Sequence, residues 1–94
     1  MLRAAVADPN PVIIIEARGY YQTKGDVDFG HIDPRVGGCR VVRLGMGCTL
    51  LSYGTARALC EQAIDTLRDE GHEIRLVDLR WRNPVDWGEI YDHA

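Results

Sequence analysis

The residue types best suited to hold a metal ion are Cys39, Cys48, Cys60 and His72. Structural zinc sites take thiolate and imidazole ligands in local pairs, usually two to four residues apart. Here the successive gaps are nine, twelve and twelve residues, so no half-site can form locally. Two of the cysteines also fall at predicted strand or helix positions that face a core. The spacing therefore favours free thiols packed in a core over a zinc site.

Two glycine-containing turns of the sequence share some features with phosphate-binding loops. Such a loop follows a strand and opens directly into a helix, so that free amides and the helix dipole meet the anion. Gly45 and Gly47 instead precede a predicted strand. The turn at residues 53–55 does lie between a strand and a helix, but it has one glycine and no lysine. A turn and a helix cap are the favoured interpretations of these glycines.

No set of residues has the spacing of an acid–base or nucleophilic centre. Ser52 lacks the flanking glycines of a nucleophile elbow, and Cys60 lies on an apolar helix stripe. Histidines and loop acids without an evident partner are His31, His72, His93, Asp26, Asp28 and Asp33. Trp81 and Trp87 could form a contact surface, although packing in or beside a core is the simpler interpretation.

The composition limits the class of protein. The 94 residues are 46% apolar and 27% charged, too apolar for disorder and suited to one domain or to parts of two. The net charge is −3 and the basic residues are scattered, so we expect neither nucleic acid nor a membrane as partner. An odd cysteine count without a secretory signal predicts a cytoplasmic location.

The N-terminal third is predicted to contain a helix, a strand and a long loop. Residues 1–7 are mostly good helix formers, and Pro9 and Pro11 end that helix. Residues 12–16 form a β-branched run typical of a central strand buried on both faces. Residues 18–38 are rich in glycine and aspartate and lack periodicity, which predicts a boundary between two structural pieces.

The remaining sequence predicts strands and helices in alternation. Residues 39–43 and 48–52 suit two strands of a hairpin, and residues 55–70 suit an amphipathic helix that ends at Gly71. Residues 73–79 suit a strand parallel to its predecessor. Asn83 and Pro84 suit the start of a last helix. In this interpretation the helix at residues 55–70 is capped by Ser52 or Thr55. Its predicted apolar stripe is Ala56, Leu59, Cys60, Ala63 and Leu67.

Several segments in this order resemble the beta subunit of thiamine-diphosphate-dependent 2-oxoacid dehydrogenases of the branched-chain and pyruvate type. The segments are DPNPVIIIE at 8–16, YY at 20–21, GCRVVRLG at 38–45, TLLSYG at 49–54, VDLR at 77–80 and NPVD at 83–86. The resemblance covers essentially the whole chain. It implies a three-layer α/β fold with a mixed or parallel sheet, which is a partial transketolase C-terminal-like domain.

The resemblance also implies a division of the chain and a set of cofactors and partners. Residues 1–21 would end a pyrimidine-binding domain, residues 22–36 would be a linker, and residues 37–94 would open the transketolase-type C-terminal domain. The family uses thiamine diphosphate with magnesium, an alpha subunit and an acyltransferase core. Its catalytic glutamate and histidine lie upstream of this segment, so no catalytic or cofactor-binding residue is expected here.

Branched-chain members of that family hold a structural potassium ion at the turn after the first helix. The resemblance implies that the carbonyl of Ala5 and groups of Asp8 and Asn10 are its ligands in this sequence, and oxygen-rich turns suit hard cations. A plain turn is the alternative interpretation.

Two other kinds of function stay open at this level. The chain could be a small interaction domain without enzymatic activity that binds a partner through Trp81, Trp87 and a sheet edge, or it could bind a small molecule or ion. An incomplete sheet would also expose an unpaired edge and apolar faces, which predicts self-association.

Overall fold

The computed structural model describes residues 1–26, 30 and 35–94. In these residues three α-helices, one short 3₁₀-helix and three strands are present. The helices are α1 (Leu2–Ala7), α2 (Ala56–Asp69) and α3 (Trp87–Asp92), and the 3₁₀-helix is Arg18–Tyr20. The strands are β1 (Cys39–Arg43), β2 (Cys48–Ser52) and β3 (Ile74–Leu79).

The strands form one mixed sheet in which β3 is central, in the order β1-β3-β2. β3 runs parallel to β2 and antiparallel to β1. Of the predicted mixed or parallel sheet the mixed form is present, and the predicted parallel β2–α2–β3 unit is confirmed. The predicted hairpin between β1 and β2 is wrong, because these strands lie at opposite edges of the sheet. β3 is the most apolar of the three strands, and its Leu76 and Val77 are fully buried. Burial of this strand between two neighbours outweighs the short connection that suggested a hairpin.

The glycines between β1 and β2 allow the chain to cross the beginning of β3. A Cβ at Gly45 would lie 2.4 Å from the carbonyl carbon of Ile74, and one at Gly47 would lie 2.8 Å from the oxygen of Glu73. The Gly47 amide donates a hydrogen bond of 2.8 Å to that oxygen. These glycines therefore serve a close approach between backbones and not a hairpin turn.

Helix α2 ends as the sequence predicts but begins without the predicted side-chain cap. Gly71 has a φ of 90°, and the amides of Gly71 and His72 donate to the carbonyls of Arg68 and Leu67, which is a Schellman motif. The start differs from the prediction, because no side chain caps it and the Ser52 hydroxyl is buried without a partner.

The apolar stripe predicted for α2 is partly wrong. The buried residue is Ile64, whereas Leu59 is 68% exposed and Ala63 is also exposed. Arg57 lies near Asp78 of β3, where its positive charge favours the ionised carboxylate. Arg57 and Ile64 are seven residues apart and share one face of the helix, together with the half-buried Cys60 and Leu67 of the predicted stripe.

Helix α3 covers the opposite face of the sheet and completes three layers. Ile90 packs with Cys39 and Val77, and the half-buried Val41, Leu79 and Val85 surround this cluster. The helix begins three residues later than Asn83 and Pro84 suggested, and Asp86 is its cap: the Asp86 carboxylate accepts a hydrogen bond of 3.0 Å from the Glu89 amide. The helix begins after Asp86 because the carboxylate of this residue can accept hydrogen bonds from the free amides of the first turn.

The strand predicted at residues 12–16 is not part of the sheet. These residues have no regular secondary structure, and their exposure alternates, with Ile13 88% and Ile15 75% exposed against 36% for Val12 and 43% for Ile14. None of the three strands of the described residues pairs with this segment. The Tyr20 hydroxyl donates to the Gly54 carbonyl at 3.0 Å and links the N-terminal part to the turn after β2.

Part of the predicted linker, with His31, Asp28 and Asp33, lies outside the described residues. In the part of the chain that the structure describes, no helix is long and apolar enough to span a bilayer.

The close approach of the Gly45 backbone to β3 leads to a prediction about stability. Replacement of Gly45 by Ala should lower the free energy of unfolding by about 2 kcal/mol or more, because the new methyl group would overlap the backbone of β3. The control is Gly19→Ala, which meets nothing within 4 Å and should change stability by less than about 1 kcal/mol. Urea denaturation followed by circular dichroism measures both, and equal midpoints for the two variants would contradict the crossing.

Candidate functional site

A cleft of about 1040 Å³ opens at the carboxyl ends of β2 and β3. The turn after β2 and the residues at and beyond the end of β3 form one wall, and the extended N-terminal segment forms the other. In open α/β sheets, ligands bind in the crevice beyond the carboxyl ends of parallel strands. The cleft is therefore the candidate ligand-facing surface of this fold.

Asp78 is a half-buried acidic residue that lines the cleft. Burial raises the pKa of its carboxyl group above the usual range, while the positive charges of Arg57, Arg80 and Arg40 oppose that rise. Ser52 faces Asp78 in the parallel register, and its buried hydroxyl has no hydrogen-bond partner. The described residues of the cleft can bind polar groups, but they do not place a nucleophile beside a base.

The cleft also has an aromatic and cationic rim. The guanidinium carbon of Arg82 lies 4.8 Å from the centroid of the Tyr53 ring, within the range of a cation–π contact. Trp81 lines the cleft and is half-buried. Trp87, in contrast, is 58% exposed and lies 6.4 Å from Tyr91 between ring centroids. The two tryptophans thus belong to different surfaces.

The turn after α1 brings oxygen atoms together at the edge of this cleft. The Asp8 carboxylate atom Oδ1 accepts hydrogen bonds from the backbone amide of Asn10 at 2.9 Å and from its side-chain amide at 3.0 Å. The Asp8 amide donates to the Ala4 carbonyl at 3.1 Å. Ala5, Asp8 and Asn10 all line the cleft, so the three residues predicted as potassium ligands lie close to one another in the chain and face one cavity.

The prolines after α1 leave carbonyl oxygens without their usual helical partners. The carbonyl of Ala5 would accept from residue 9 in a continuing helix, but Pro9 has no amide hydrogen, and Pro11 leaves the carbonyl of Ala7 in the same condition. Free carbonyls at a helix C-terminus carry partial negative charge. This donor set fits a hard cation, although hard cations such as Ca²⁺ take about six to eight oxygen ligands.

The cysteines and histidine that the sequence offered for zinc are not assembled into one site within the described residues. Cys39 is buried, Cys60 is half-buried in α2 and Cys48 is exposed, and all three are free thiols. His72 instead helps to end α2 through its backbone amide.

A different cluster, which the sequence analysis missed, lies where β1 begins and α3 ends. One ligand atom from each of Cys39, Glu89 and His93 lies within 4.8 Å of the other two. Glu89 and His93 are four residues apart, which puts them on one side of a helix. That spacing is the sequence pattern that could have indicated two of the three ligands. Cys39 lies fifty residues before Glu89, and only the tertiary fold brings it close to the other two.

Hydrogen bonds and charge fix the carboxylate of this cluster. Glu89 Oε2 accepts a bond of 2.8 Å from the Cys39 backbone amide, and Glu89 Oε1 lies 3.0 Å from the guanidinium of Arg35. The Cys39 amide, and then the charge of Arg35, lower the pKa of the Glu89 carboxyl group against the opposing effect of burial. Burial and the Glu89 charge raise the pKa of the Cys39 thiol.

The fold and the motif order define the class of protein. A sequence model of the transketolase C-terminal domain matches residues 37–94, and the chain belongs to this family. The predicted three-layer α/β fold of a partial transketolase C-terminal domain is confirmed.

Comparison with curated proteins narrows the class to a particular subunit. The pyruvate dehydrogenase E1 component subunit beta of Acholeplasma laidlawii is 30% identical over 87 residues, covering 92% of this chain and 27% of that protein. The 3-methyl-2-oxobutanoate dehydrogenase subunit beta of Mycobacterium tuberculosis is 32% identical over 92 residues, covering 96% and 26%. The 2-oxoisovalerate dehydrogenase subunit beta of Bacillus subtilis is 34% identical over 95 residues, covering 100% and 29%.

The chain spans about a quarter of the length of these relatives. It corresponds to a segment of 2-oxoacid dehydrogenase beta subunits, and the resemblance predicted from the order of the motifs is confirmed.

Proposed function

We propose that the chain acts as part of the beta subunit of a thiamine-diphosphate-dependent 2-oxoacid dehydrogenase, in the oxidative decarboxylation of a substrate of the 2-oxoisovalerate or pyruvate type. The observation that carries the proposal is the similarity to such beta subunits along 92–100% of the chain. We expect the chain alone to be inactive, because the resemblance implies that the family's catalytic glutamate and histidine come from another part of the subunit.

The extended segment at residues 12–16 supports a role inside a larger assembly. Its backbone donors and acceptors pair with no strand of the described residues and can be offered to a neighbouring strand. Its exposed Ile13 and Ile15 add apolar surface. On the implied division of the chain, residues 1–21 belong to a pyrimidine-binding domain, residues 22–36 to a linker and residues 37–94 to the C-terminal domain. In the isolated chain the same surface promotes self-association.

The cofactors and partners of this proposal come from the family. Thiamine diphosphate and magnesium supply the decarboxylation chemistry, at a site to which the catalytic glutamate and histidine of the upstream segment contribute. The alpha subunit and the acyltransferase core are the partner proteins, and the location is cytoplasmic. The part played by the present chain is to bind and orient neighbouring parts of the enzyme.

Assembly with an alpha subunit tests this proposal. The corresponding segment of the Bacillus subtilis 2-oxoisovalerate dehydrogenase subunit beta is replaced by this chain, and the chimera is purified with its alpha subunit. We expect a stable complex whose 2-oxoacid-dependent dye reduction lies within about tenfold of the unmodified enzyme, a difference of about 1.4 kcal/mol in activation free energy. The 94-residue chain alone is the inactive reference.

Two variants of the chimera test the role of residues 12–16 in the larger subunit. Ile13→Asp adds a charge to this apolar segment and should prevent assembly, whereas Leu59→Asp adds one to the exposed face of α2 and should leave assembly intact. A chimera that never joins the alpha subunit, or that joins it without 2-oxoacid-dependent activity, would contradict the proposed function.

The oxygen-rich turn at Ala5, Asp8 and Asn10 is the proposed potassium site. Its support is the free carbonyl of Ala5 and the Asp8 carboxylate, whose Oδ2 atom stays available while Oδ1 accepts from Asn10. Potassium bound there would hold the end of α1 against the extended segment that follows it.

A comparison of salts tests potassium binding. If binding contributes about 1 kcal/mol, the melting temperature in KCl should exceed that in NaCl of equal ionic strength by about 4 °C. Asp8→Ala should abolish the difference, and Asp69→Ala, which removes an exposed acid from the end of α2, should preserve it. Equal melting temperatures in the two salts would count against the site.

A further inference from the structure

We propose that Cys39, Glu89 and His93 form a binding site for one transition-metal ion of the zinc class, between the start of β1 and the end of α3. The site is distinct from the oxygen-rich turn at the N-terminus in both position and chemistry. It uses one thiolate, one carboxylate oxygen and one imidazole nitrogen, and it leaves a fourth position for water.

The spacing of the three groups is close to that of a metal site. Their ligand atoms lie within 4.8 Å of one another. Tetrahedral zinc with bonds of about 2.0–2.3 Å requires neighbouring ligand atoms about 3.3–3.6 Å apart. Small side-chain rotations of Glu89 and His93, both only half-buried, can bring the groups to that distance.

The backbone around the cluster is already fixed. The Cys39 amide is bonded to Glu89 Oε2 at 2.8 Å. The His93 carbonyl accepts two bonds, of 2.6 Å from the Thr49 hydroxyl and of 2.7 Å from a guanidinium nitrogen of Arg75. These bonds hold the end of α3 against β2 and β3, so the backbone that carries the histidine is fixed before an ion binds. Ligands that are positioned in advance lose less conformational entropy when they bind.

The carboxylate can bind a metal while it keeps its bonds to the Cys39 amide and to Arg35. An ionised carboxylate has about four lone-pair directions on its two oxygens, and Glu89 uses one for each of these partners. Its interaction with the Cys39 thiol proton is given up when the thiol binds the metal as a thiolate. Hydrogen bonds to a metal-binding carboxylate orient it, as outer partners do in established metal sites. Arg35 would therefore remain beside the site as a positioning residue.

The kinds of ligand select the kind of ion. A thiolate and an imidazole suit zinc and other borderline transition metals, whereas magnesium, calcium and potassium prefer oxygen ligands alone. Two anionic ligands balance the charge of a divalent ion. Because the ligands come from β1 and α3, the ion would link these elements on the face that contains the core of Cys39, Val77 and Ile90.

Cobalt(II), a spectroscopic probe for zinc sites, tests the proposal on the reduced 94-residue chain. We expect one equivalent of cobalt to give a thiolate-to-cobalt charge-transfer band and the intense visible bands of four-coordinate cobalt, and zinc should displace it. Cys39→Ser and His93→Gln should each weaken binding by at least about tenfold. His93→Gln leaves the backbone bonds of residue 93 in place, so it tests binding in a folded chain.

The chain offers a matched control for each variant. Cys48→Ser removes an exposed thiol and His72→Gln an exposed imidazole, and both should keep the cobalt spectrum of the original chain. Absence of a charge-transfer band from the original chain would overturn the proposal. So would a band that survives in Cys39→Ser, because the thiolate would then come from another cysteine.

Discussion

Burial of strand β3 is the constraint on which the rest of the structure depends. Leu76 and Val77 point to opposite faces of the sheet, and both are fully buried because a strand pairs on each side and a helix covers each face. At the beginning of β3 the chain crosses through Gly45, since a larger residue has no room there. At its end, Asp78 and the following residues form the wall of the cleft. The ligand-facing edge is thus a consequence of where β3 lies.

The elements that could be predicted from the sequence are those set by local interactions. The end of α2 at Gly71 follows from a backbone conformation that glycine adopts readily, and β3 follows from its apolar run. The pairing of strands is not local: the glycines near residue 45 suit both a hairpin and a crossing, and only the burial of β3 decides between them. Residues 12–16 have the composition of a central strand, but their neighbours are not among the described residues of this chain.

The two candidate ion sites also differ in how far they could be predicted from the sequence. Ala5, Asp8 and Asn10 lie within six residues, so a resemblance in sequence could propose them together. Cys39 reaches Glu89 and His93 only because β1 pairs with β3 while α3 packs over both. The chemistry also separates them: an exposed turn of oxygens suits a hard cation, and a partly buried thiol and imidazole suit a borderline metal. The two proposed sites therefore call for different kinds of ion.

Amide hydrogen exchange of the chain, measured by NMR at a concentration where sedimentation shows a monomer, tests the central claim most directly. The account predicts the slowest exchange at Leu76 and Val77, and exchange close to that of an unfolded peptide at residues 13–15, because β3 is paired on both sides and the extended segment on neither. Protection of residues 13–15 comparable to that of β3, or fast exchange along β3, would contradict the arrangement from which both the cleft and the proposed assembly surface follow.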